Sequence, residues 1–131
     1  MGKLIRCITS DGAVMATAVD STDIAAAAEQ THKTSAVVTA ALGRLLTAAS
    51  MMGNFLKGEK DSITVKIDGG GPAGALTAVA DSCGNVRGYA ANPIVEIPLN
   101  PNGKLDVSGA VGTDGNVFVM KDLGLKEPYN G

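Results

Sequence analysis

SAVVTAALGRLLTAASMMGNFL, residues 35–56, is apolar nearly all the way round yet carries Arg44 near its middle. At helical spacing Val38, Leu42, Leu45, Ala49, Met52 and Leu56 fall in one stripe. Val37, Ala41, Ala48 and Phe55 widen that stripe on one flank. On another face Ala36, Ala40, Gly43, Thr47 and Ser50 are small, so a neighbouring element can approach the backbone closely. A helix with two usable apolar faces is covered on both in a soluble domain, or else lies in lipid. Length alone permits a span, for which about 20 residues suffice. Arg44 argues against one, because a guanidinium near the bilayer centre is costly. The reading is a buried helix of a soluble domain. Its Arg44 either reaches an edge or pairs with a carboxylate, and a structural ion pair is favoured over contact with a ligand.

The chain has 131 residues, enough for one domain with a real core. Only 3% are aromatic and none is Trp, so that core must be built from Ala, Val, Leu, Ile and Met. Seventeen glycines stand well above the usual share of about 7% and indicate many tight turns. A net charge of −2 leaves no electrostatic footprint for nucleic acid, and so few rings offer little to stack bases on. Cys7, Cys83 and the single His32 are too few for a disulfide framework or a zinc site. MGKLIRCITSDG has no signal-peptide pattern, and Arg6 breaks the myristoylation motif, so the localisation read here is cytoplasmic.

Outward from the apolar stretch, residues 4–9 and 14–20 flank Ser10-Asp11-Gly12 and read as a hairpin. Ser21-Thr22-Asp23 opens an Ala-rich helix over residues 21–33. The long helix should end near Lys57-Gly58, with Gly58 available as its cap. Strands are predicted over residues 62–68, 75–80 and 86–91. A second hairpin is predicted from residues 105–111 and 117–121 around Thr113-Asp114-Gly115-Asn116. Two strands, two helices, then mostly strands spell an α+β domain over residues 1–131. Its antiparallel-rich sheets should enclose the long buried helix in β/α/β layers.

Asp68-Gly69-Gly70-Gly71-Pro72-Ala73-Gly74 contains G-x-G-x-x-G directly after a strand. A dinucleotide fingerprint needs a helix next. The next residues here, Ala75-Leu76-Thr77-Ala78-Val79-Ala80, read as a strand, and Pro72 removes one backbone donor. Gly69, Gly71 and Gly74 are therefore assigned a structural role in a wide β-connection. Cys7, between Ile5 and Ile8, reads as a small buried hydrophobe. Cys83 lies in a turn with no activating neighbour. No catalytic set emerges.

The longer word pattern says more. Ala41-Leu42-Gly43-Arg44 precedes a Thr/Ala/Ser/Met-rich turn and Leu56-Lys57-Gly58. Val65-Lys66-Ile67-Asp68-Gly69-Gly70-Gly71-Pro72-Ala73-Gly74 and Val86-Arg87-Gly88-Tyr89-Ala90-Ala91-Asn92-Pro93 come next. Gly103-Lys104-Leu105-Asp106-Val107, Ala110-Val111-Gly112-Thr113-Asp114-Gly115 and Lys121-Asp122-Leu123-Gly124-Leu125 complete the set. In this order, from about Leu4 to Gly131, they resemble the N-terminal core of the heat-shock protein 33 family of redox-regulated chaperones.

The resemblance implies a cytoplasmic, ATP-independent holdase that binds unfolding proteins under heat or oxidative stress, and a possible homodimer. It also implies zinc held by C-x-C and C-x-x-C pairs in a C-terminal domain, where oxidation releases the metal and exposes apolar surface. This chain has neither pair. The expectation is thus an incomplete core without linker or zinc domain, holding no metal and no other cofactor. Met51, Met52 and Phe55 are the candidate client-binding residues, since Met side chains adapt to varied partners. Nucleic acid and membrane are not expected partners, and the chain is not expected to be an enzyme. Two other readings compete. One is a small-ligand or nucleotide-binding enzyme domain using residues 69–74 and Arg44; the other is a structural or oligomerisation module.

Overall fold

The computed structural model of the chain describes residues 2–131. Its elements are β1 (Lys3–Ile8), β2 (Met15–Asp20), α1 (Thr22–His32), α2 (Ala36–Asn54) and β3 (Ser62–Asp68). Then come β4 (Leu76–Asp81), β5 (Val86–Ala90), α3 (Val107–Val111), β6 (Asn116–Asp122) and β7 (Tyr129–Asn130). β1 and β2 pair as a separate hairpin, while the rest form an antiparallel sheet in the order β5-β4-β3-β6-β7. The α+β class, with antiparallel sheets about a long apolar helix, is as the sequence reads.

Strand alternation builds one wall of the core. Ile63 and Val65 of β3 lie opposite Ala80 and Ala78 of β4, and all four are buried against α2. Val38, Leu42, Leu46 and Ala49 fill the helix side of that interface. Ten of the nineteen α2 residues are buried, so the stretch long enough for a membrane span is here largely a core helix. Gly53 lets α2 touch the sheet, for a Cβ there would fall 2.7 Å from the Cβ of Ala80. Ser50, buried beneath the β4–β5 turn, donates to the Gly84 carbonyl at 2.6 Å and so satisfies its hydroxyl. The second side of α2 is covered by α1, with β2 also touching it and α3 packing against it. The Thr47 hydroxyl donates to the Gly43 carbonyl at 2.7 Å and is hydrogen-bonded to the Ser21 hydroxyl, just before α1, at 2.6 Å.

Four expectations need correction. Arg44 is exposed, and among the described residues it has no ion-pair partner. The reason is geometric: sheet and α1 cover two sides of α2 and leave the stripe Ala40, Arg44, Ala48 and Met51 toward solvent. Cys7 is also exposed, because no described residue covers its face of the hairpin. Residues 107–111 form a helical turn, not a strand. Asp106 caps it by accepting from the Gly109 amide at 3.0 Å, and Ala110 points inward. β6 consequently pairs with β3. Finally, α2 ends at Asn54. The Phe55 and Leu56 amides tighten the last turn onto Met52 and Gly53, and the Gly58 amide donates instead to Asp61 at 2.8 Å.

Candidate functional site

The β1–β2 hairpin carries apolar surface that the core leaves uncovered. Its register places Ile5 opposite Ala18 and Cys7 opposite Ala16, so its outer face is apolar between Lys3 and Asp20 at its end. Every one of these four residues is exposed, Ile5 by 52%. The inner face carries Leu4, Arg6 and Ile8 opposite Val19, Thr17 and Met15. Leu4 and Val19 rest half-buried against the domain, whereas Ile8 and Met15, near the tip, are 64% and 51% exposed. A two-stranded hairpin is marginal on its own, so its tip is braced. Asp11 accepts from the Thr9 hydroxyl at 2.6 Å and from the Ala13 amide at 3.0 Å. The Thr9 hydroxyl, and then the Ala13 amide, hold the Asp11 carboxyl below the usual range.

Arg6 joins this hairpin to the end of α2, its guanidinium carbon lying 5.7 Å from the centre of the Phe55 ring. Of the three candidate contact residues, Phe55 is exposed beside Arg6, and Met52 packs half-buried against the core. Met51 lines a cleft with Ala25, Gly43 and Arg44. Sequence reasoning missed Ile8, Val14 and Met15. The available signal was that residues 3–8 and 15–20 lack strict apolar–polar alternation, which leaves both hairpin faces needing cover. The free face of the large sheet exposes Tyr89, Phe118 and Met120 as well, but Lys66 and Arg87 interrupt it.

The glycine loop is occupied with itself. The Gly71 amide donates to the Val111 carbonyl at 3.0 Å and that of Ala73 to Ala110 at 2.9 Å. The Gly74 amide donates to the Gly71 carbonyl at 3.1 Å, and Gly70 turns its amide to Asp68. No cradle of free donors remains for a phosphate, and β4 stands where a helix would be needed. Gly69 and Gly71 are glycine because a Cβ would meet the 110–112 backbone at 2.5 to 2.7 Å, and Gly74 has φ +69°. Among the described residues no three His, Cys, Asp or Glu side chains gather as a metal site. Two exposed thiols on separate elements do not fit tetrahedral zinc.

The β4–β5 turn is organised by one carboxylate. Asp81 accepts from the Asn85 side chain at 3.1 Å and from the amides of Asn85 and Cys83 at 3.0 and 2.9 Å. The Asn85 side chain, with backbone amides adding to it, holds the Asp81 carboxyl below the usual range. A depressed folded value means stability that is present above the unfolded value of about 4 and lost as pH falls through the lower folded one. The urea midpoint is therefore expected to drop on acidification below about pH 4, and less so in Asp81→Asn. Identical acid profiles for the two proteins would refute this.

A family profile described as Hsp33 protein matches residues 2–131. The chain belongs to the Hsp33 family. It is 52% identical over 129 residues to the "33 kDa chaperonin" of Clostridium tetani, covering 98% of this chain and 44% of that protein. The "33 kDa chaperonin" of Bacillus velezensis is 50% identical over 131 residues, or 100% of this chain and 45% of that one. The crystal structure of the 33 kDa chaperonin of Thermotoga maritima superposes with a TM-score of 0.91 at 38% identity. That match covers 98% of this chain and 43% of the Thermotoga chain. The chain thus spans less than half the length of the Hsp33 relatives it matches.

Proposed function

We propose that this chain is the core of an ATP-independent holdase chaperone, which keeps unfolding proteins from aggregating during heat or oxidative stress. The observation that carries the reading is the uncovered apolar hairpin with Phe55 beside it, in a domain of the Hsp33 family. Exposed apolar surface of this kind marks an interaction site. The relatives named 33 kDa chaperonin support the same class. In this reading the chain works in the cytoplasm on unfolded or partly folded clients, without nucleic acid or membrane, and catalyses no reaction. Self-association into a homodimer is part of it, since the same surface can meet a second copy. Zinc and redox switching lie outside this stretch, because the cysteine pairs that would carry them are not in it.

Light scattering of a thermally unfolding client tests the proposal. Suppression is expected at several-fold molar excess, equal with and without ATP and equal before and after peroxide. No suppression would overturn the holdase reading. A requirement for ATP would favour a ligand-driven enzyme. One zinc per chain, lost on oxidation, would overturn the placement of the switch.

A further inference from the structure

A second feature lies apart from the hairpin tip. β5 is an edge strand, and its free edge borders a groove of 630 Å³ lined by Leu4, Val19, Ile24, Ala28, Val86 and Gly88. Two hydrogen bonds fix which amides of β5 face this groove. The Asp81 amide donates to the Asn85 carbonyl at 3.0 Å, and that of Ala91 to Ala75 at 2.9 Å. Antiparallel ladders alternate, so Arg87 and Tyr89 exchange bonds with β4 while Val86 and Gly88 turn theirs outward. No described residue pairs with those outward groups. Opposite them stands the α1 face of Ile24, Ala27, Ala28 and Thr31, spaced to lie along one side of the helix.

A free strand edge facing a helix across an apolar groove suits one kind of occupant, a polypeptide in extended form. We infer that an extended segment of an unfolded client adds to β5 as a sixth strand, its backbone bonded to Val86 and Gly88 and alternate side chains resting on α1. The inference rests on the holdase reading and names how the client is held. Charge agrees with it: Lys3 and Arg87 on the groove wall are balanced by Asp20 and Asp23, which favours a neutral backbone over an anion or cation. Backbone pairing is also indifferent to sequence, as binding of many unfolded clients requires. A folded protein has no free strand to offer.

The probe is a fluorescent peptide of alternating Val and Thr with Lys at each end, read by anisotropy with the full chain. Binding is expected, with slowed hydrogen exchange at the Val86 and Gly88 amides. Methylating alternate peptide nitrogens on the strand-facing side is expected to weaken binding by about tenfold or more, as loss of two backbone bonds implies. Ala27→Arg, which fills the groove from an exposed helix position, should weaken it similarly; Ala26→Arg, on α1 but outside the groove, should not. No peptide binding, or equal binding of the methylated peptide, would overturn the inference. Protection of both amides that grows with protein concentration without peptide would assign the groove to a second copy and overturn it as well. Client protection that persists in Ala27→Arg while peptide binding is lost would separate the groove from the holdase activity, refuting only the former's role. Peptide binding without client protection would do the reverse.

Discussion

Leu42→Asp is expected to leave the chain without a cooperative unfolding transition at neutral pH. Leu42 has no exposed surface and sits where α2 meets the sheet, beside Val38, Leu46 and Ile63 in the same cluster. Its loss as Ala would cost about 3–5 kcal/mol through the cavity alone. A carboxylate adds the expense of an unpaired buried charge, for the buried polar residues among those described are Thr34 and Ser50, neither of them a cation. Together these approach the whole stability of a small domain, about 5–15 kcal/mol. Arg44→Asp, two residues along the same helix but exposed, should change stability by less than about 1 kcal/mol. Circular dichroism melts of both variants make the test. A melting temperature for Leu42→Asp within a few degrees of the parent would show that α2 is not the centre of the core.

The contrast between positions 42 and 44 also marks what the sequence could convey. That the stretch around Leu42 is a core helix can be read from periodicity, which records the covered stripe residue by residue. Which side is left open is not recorded there. Ala40, Ala48 and Met51 are compatible with burial or exposure, so only the placement of α1 and the sheet decides that Arg44 meets water. Cys7 fails for the same reason: a strand with apolar residues on both faces says that cover is useful, not that cover is present. The 105–111 segment misled differently. Leu105, Val107 and Ala110 suit a strand pattern as well as a helical turn, and the cap at Asp106, three residues before Gly109, is what decides for the turn. The groove beside β5 was not legible at all, because edge strands are defined by partners they lack. Strand order is a property of the whole fold.

The glycine loop allows the sharpest separation of the chaperone reading from the nucleotide one. Gly71→Val is expected to destabilise the chain by roughly 3 kcal/mol or more, through overpacking and the loss of two hydrogen bonds. A Cβ at Gly71 would stand 2.5 Å from the Ala110 carbonyl oxygen and the Val111 carbonyl carbon, both backbone atoms that cannot swing aside. Relief requires the loop to lift from α3, which breaks the bonds Gly71–Val111 and Ala73–Ala110. Ala110 is fully buried and α3 packs on α2, so the displacement reaches the core. Gly103→Ala provides the comparison: its φ of +75° makes the change strained, but no atom lies within 4 Å of the new Cβ. It should cost only about 1–2 kcal/mol. Were the loop instead a phosphate cradle, Gly71→Val would abolish nucleotide binding, and millimolar ATP or NAD would raise the melting temperature of the parent. The arrangement of the amides predicts no such rise, because those of Gly70, Gly71, Ala73 and Gly74 are already donated within the chain. Thermal melts of parent and variant, with and without each nucleotide, therefore read both properties. A ligand-dependent rise in the parent that Gly71→Val removes would restore the enzyme reading. A large loss of stability with no response to nucleotide in either protein leaves the loop as a clasp between β3, β4 and α3.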